Sequence, residues 1–193
     1  GGWTTGVSVI NSSSETQVIK IRMRRAPDSM DALDFNVVMS PNDVWTGYAE
    51  KGEDDAIRWV TNDKSCTVPA LEEGSFLTMP DIYREGADSG YIEIMGMGAA
   101  DEFQPISIAA LHTADGVPKD CDKVRENFVR GSSPLDYAAD YASLPSAGAR
   151  KQGVINSALT MQTKVKAPNY ETSAYSDTGN VLRVSYFIRS GVS

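Results

Sequence analysis

The chain has 193 residues, 41% of them hydrophobic and 23% charged, which is the make-up of an ordinary folded protein with a real core and excludes wholesale disorder. Its 26 acidic and 18 basic residues leave a net charge of −8, which repels phosphate backbones and excludes nucleic acid as a natural partner. No apolar run reaches the roughly 18 residues of a membrane helix, so no transmembrane segment is expected.

The sequence opens on Gly1-Gly2-Trp3 without an initiator Met and reads as processed or trimmed from a longer precursor. Gly6 to Ile10 is the first predicted strand. After the turn Asn11-Ser12-Ser13-Ser14, Thr16 to Arg24 alternates Ile19, Ile21 and Met23 against Val18, Lys20, Arg22 and Arg24. Lys20, Arg22, Arg24 and Arg25 read as a solvated basic face paired with Asp28, Asp31 and Asp34. Pro27-Asp28-Ser29 and Ser40-Pro41-Asn42-Asp43 are turns around a strand carrying Leu33, Phe35 and Val37. Val44 to Tyr48, Ile57 to Thr61, Phe76 to Met79 and Tyr91 to Met95 continue the set. Short strands at this spacing, with turn residues between them, predict an antiparallel β-sandwich or jelly-roll-like fold.

Beyond residue 100 the periodicity loosens. Ile106 to Leu111, Asp122 to Val129 and Leu135 to Leu144 read as short helices, interrupted by Pro118, Gly131, Pro134, Pro145 and Gly148. Residues 101–150 are therefore expected to form a helical insertion at one edge or end of a single domain spanning 1–193. Strands at Ala158 to Lys166 and Val181 to Ile188 close the chain, and no repeat of 20 to 50 residues is visible.

The two cysteines, Cys66 and Cys121, stand in polar, turn-rich surroundings that suit a disulfide, and hence an oxidising compartment. Two unpaired thiols in a reducing compartment are the alternative. Cysteine pairs at metal spacing are lacking, so no metal site is expected, although Asp115, Asp120 and Asp122 leave calcium on that loop an open question. The only histidine, His112, has no Gly-x-Ser-x-Gly elbow to serve and reads as a satisfied helix-end residue. Gly96-Met97-Gly98 lacks a third phosphate-loop glycine, and Glu72 with Glu73 or Asp81 with Glu85 are pairs any acidic protein supplies. Trp3, Trp45 and Trp59 suit a core better than a sugar-binding platform. Neither a cofactor nor catalysis is expected.

Val9-Ile10-Asn11-Ser12, Val18 to Arg24 and Leu33 to Trp45, together with Ser65-Cys66-Thr67-Val68-Pro69 and Gly90 to Ile94, resemble a group of uncharacterised secreted and cell-surface proteins of Gram-negative bacteria. The resemblance covers roughly the first 100 residues and implies export; it brings no activity. The function expected is an extracellular structural or adhesive protein, with a secreted carbohydrate- or ligand-binding module as the alternative and a secreted hydrolase behind both. Both chain ends read as extended and poor in the lysines and prolines that guard edge strands. Self-association into an oligomer or fibre is therefore expected through Trp3, Val7, Val9, Leu182, Val184 and Tyr186, with a glycan or other surface ligand as a further partner; the alternative is that the two ends pair with each other inside one subunit, which would protect both edges and leave a monomer.

Overall fold

The computed structural model describes residues 2–52, 57–70, 76–78, 86–128 and 179–191. In chain order its strands are β1 (Trp3–Asn11), β2 (Thr16–Arg25), β3 (Asp31–Met39), β4 (Val44–Lys51), β5 (Ile57–Val60), β6 (Cys66–Val68), β7 (Phe76–Thr78), β8 (Gly90–Ala100) and β9 (Leu182–Ser190). They form a five-stranded sheet ordered β7-β5-β4-β1-β9 and a four-stranded sheet ordered β6-β3-β2-β8. Every pairing is antiparallel, so the protein is mainly β and the two layers make a sandwich.

Period-two alternation sets the inner faces. On β2, Ile19, Ile21 and Met23 stand opposite Val37, Phe35 and Leu33 of β3, while Ile21 and Met23 also face Ile94 and Ile92 of β8. These residues join Val7, Val9, Trp45 and Trp59 in one buried cluster, with Ile92 and Ile94 at its margin. The Trp45 and Trp59 rings stack with centroids 5.6 Å apart, and Phe35 leans on both at 5.7 and 5.5 Å. Gly47 makes the stack possible, because a Cβ there would lie 2.5 Å from Trp59 Nε1. Gly96-Met97-Gly98 lies within β8, where the register shifts between Val18 and Ile19: Val18 faces Gly98, Ile19 faces Gly96, and Met97 is the extra residue of a bulge.

The basic stripe departs from expectation. It pairs with acids as foreseen, yet Lys20, Arg22 and Arg25 are buried rather than solvated. Lys20 Nζ donates to Asp34 Oδ2 at 2.8 Å, Arg22 Nε donates to Asp34 Oδ1 at 3.2 Å, and Arg25 pairs with Asp28. Charges withdrawn from water must be paired in this way.

Two of the expected helices are present, α1 (Pro105–Ala110) and α2 (Cys121–Arg125); Leu135 to Leu144 and the strand at Ala158 to Lys166 lie outside the described residues. Their place is one end of the four-stranded sheet, as expected. Ile106, Ala109, Ala110 and Val124 pack with Val18, Val38, Cys66 and Ala100 in a second cluster, so the helices cover the outer face of the four-stranded sheet at that end. Val18 and Val38, out of phase with the inner core, supply the apolar patch they sit on. Cys66 and Cys121 are bonded, fixing α2 to β6, a short strand that lacks enough residues to show a period.

Candidate functional site

The two chain ends meet inside one sheet. β1 lies between β4 and β9, with Val7 opposite Tyr186 and Val9 opposite Val184. Its backbone is thus engaged on both sides, and Val7 and Val9 belong to the core. This corrects the expectation that the N-terminal segment offers a free strand and is the alternative in which the two ends pair with each other: β1 cannot be donated without dismantling its own sheet. Of the other residues expected at a contact, Leu182 packs at the core margin, whereas Trp3, Val184 and Tyr186 are exposed, at 67, 51 and 74%.

The accessible feature is β9. It ends the five-stranded sheet, and no strand among the described residues covers its outer edge. Val184, Tyr186 and Ile188 point toward the other sheet, and Phe187 lies on the outside against Gly6, where a Cβ would be 2.0 Å from its ring. Phe187 and Ile188 are exposed as well, at 55 and 61%. Both lie on the strand expected at Val181 to Ile188, but neither was among the residues expected at a contact, although the unbroken run Tyr186-Phe187-Ile188 carried the signal.

β8 ends the other sheet in the same manner. Between the sheets, under β9 and beside β8, lies a cleft of about 460 Å³ lined by Val7, Met23, Ile92, Ile94, Val184 and Tyr186, among others. Among the described residues, the sandwich is therefore open on the side where its two long edge strands run.

A serine, a histidine and an aspartate also converge. Ser40 Oγ lies 2.8 Å from His112 Nδ1, and Asp43 Oδ2 lies 3.8 Å from the same nitrogen. A proton relay needs the hydroxyl and the carboxylate on opposite ring nitrogens. Here both face Nδ1, and Ser40 is buried. Asp43 Oδ2 also accepts from Ser40 N at 3.2 Å and from Ser65 Oγ at 3.0 Å. The trio ties the β3–β4 turn to the chain just beyond α1 and gives no access to a nucleophile.

On the acidic loop, Asp120 and Asp122 are occupied locally and no metal-ligating cluster occurs among the described residues. Asp122 pairs with Arg125, and Asp120 caps α2 by accepting from Lys123 N at 3.0 Å. That backbone hydrogen bond, helped by the Lys123 ammonium, holds the Asp120 carboxyl below its ordinary value of 3.8. A carboxyl lowered in the folded state contributes stability that is complete above the unfolded-state value and lost as pH falls through the folded one. Acidification below pH 3.8 is accordingly expected to lower the melting temperature less in Asp120→Asn than in the parent, and equal drops would count against this role. Glu72, Glu73, Asp81 and Glu85 lie outside the described residues.

No protein-family model, no curated protein and no solved structure matches the chain.

Proposed function

We propose that this chain is an extracellular or cell-surface structural or adhesive protein that assembles with copies of itself by β-strand augmentation at β9. The observation that carries the proposal is the state of that strand: an edge nine residues long, apolar on its inner face, with Phe187 on its outer face, and exposed from Arg183 to Ser190. It contains no Pro and no Lys, the residues that normally blunt an edge. The Cys66–Cys121 bond supports an oxidising compartment.

Light scattering on the full chain tests it. The parent is expected above monomer mass, and Val184→Lys with Ile188→Lys is expected to return it to monomer with an unchanged circular dichroism spectrum, since both side chains are more than half exposed. A parent that remains monomeric and monodisperse at high concentration would sink the proposal.

The cleft favours a second reading, a module that binds a small apolar ligand, because its volume of about 460 Å³ falls in the range of ligand pockets. A sugar is a poorer fit, since Trp45 and Trp59 are stacked on each other in the core and offer no platform. Displacement of a bound apolar dye by fatty acids, but not by oligosaccharides, is the outcome this reading requires.

A further inference from the structure

We infer that the mate of β9 is β8 of a second copy, in a reciprocal two-fold pair where each sheet runs on into the opposite sheet of its neighbour. This rests on the self-association proposed above and names its partner strand and its symmetry.

Edge length gives the first reason. β8 and β9, eleven and nine residues long, end their respective sheets and border the same cleft, so they lie on one side of the sandwich. The opposite ends of the sheets are β6 and β7, each of three residues. β6 is further tied down, because Cys66 is bonded to Cys121 and the Thr67 carbonyl accepts from Arg125 Nε at 3.0 Å. Open head-to-tail growth would have to join a long edge to one of these short ones. Two copies that turn their long edges toward each other satisfy both, and a reciprocal contact of that kind closes. Of the oligomer or fibre expected from the sequence, the product is the closed oligomer, a pair.

Charge decides which long edge meets which. Two routes close the pair: β9 on β9 with β8 on β8, or β9 on β8 twice. A two-fold axis through Tyr186 of β9 on β9 sets Arg183 opposite the neighbour's Arg189 and the reverse, placing like charges directly across the ladder. Shifting the register to part them shortens the ladder. β9 has no other charged residue, and the only charge on β8 is Glu93. Both kinds stand on the outer faces, since Val184, Tyr186 and Ile188 of β9 line the cleft between the sheets and Ile92 and Ile94 of β8 pack against the inner core. When β9 continues the sheet of β8, the arginines and Glu93 therefore share a face. Glu93 already pairs with Arg24, yet its side chain remains 38% exposed and accepts a second guanidinium. The same docking roofs each cleft with the neighbour's edge.

Sedimentation equilibrium of the full chain and its charge variants tests the inference. The parent is expected to be a dimer. Arg183→Glu with Arg189→Glu is expected to weaken it on the order of tenfold, by replacing the arginine that lies beside Glu93 with a second acid, and adding Glu93→Arg is expected to restore it. The β9-on-β9 route has the opposite sign for a single change: Arg183→Glu alone would face Arg189 of the neighbour and tighten the dimer. A dimer tightened by Arg183→Glu, or assembly growing beyond two copies with concentration, overturns the reciprocal pairing while self-association stands. A parent that is monomeric throughout overturns self-association itself. Should Glu93→Arg fail to fold, judged by circular dichroism, the arginine variants still decide, because the two routes predict opposite signs for Arg183→Glu.

Discussion

Ile21→Asp is expected to abolish folding at room temperature. Ile21 is wholly buried at the centre of the inner face, opposite Phe35 on one neighbouring strand and Ile94 on the other. The change forfeits about 2–3 kcal/mol of apolar burial. It also places a carboxyl among hydrocarbon side chains, which costs several kcal/mol more even when the group stays protonated. The sum is comparable with the whole stability of a typical domain, about 5–15 kcal/mol. Ile21→Val removes one methylene without adding a polar atom and is expected to cost only about 1 kcal/mol. Urea denaturation followed by tryptophan fluorescence reads both, because Trp45 and Trp59 sit in the same cluster. An Ile21→Asp protein that unfolds at the parent's urea midpoint would show that this strand does not present Ile21 to the core.

Replacing Cys66 and Cys121 together by alanine is expected to lower stability by about 4 kcal/mol, the chain-entropy value for closing a loop between residues 55 apart. For a chain of this size that corresponds to a fall in melting temperature of roughly 8–16 °C. The loss has a definite location. α1 and α2 have six and five residues, far too short to persist as isolated helices, and what remains to hold them is Ile106, Ala109, Ala110 and Val124 on the Val18 and Val38 patch. Amide exchange is therefore expected to accelerate first in α1 and α2, while β2 and β3 stay protected. An unchanged melting temperature, or loss of protection beginning in β2, would show that the bond does not hold this layer. Intact mass of protein purified without reductant, expected at the oxidised value, checks the bond itself.

The fold class, most of the strands and the inner core were legible in the residues because a strand with one buried face writes that burial at period two. Ile19, Ile21, Phe35, Val37, Ile92 and Ile94 fall in phase in the sequence and in one cluster in the structure. The cysteine pair was legible for a related reason, since two cysteines in polar loops have only each other to bond. Periodicity says which face is covered and is silent on what covers it or which strand lies alongside. Hence Lys20, which alternates like any solvent-facing residue, is fully buried against Asp34, and Val18 and Val38 on the same outer face seat the helices. Strand partnership likewise depends on contacts far apart in the chain, so only the tertiary structure decided that β1 is enclosed between β4 and β9. That pairing removes Val7 and Val9 from any free strand edge and leaves Val184, Tyr186, Phe187 and Ile188 exposed on β9, at the edge of the sheet.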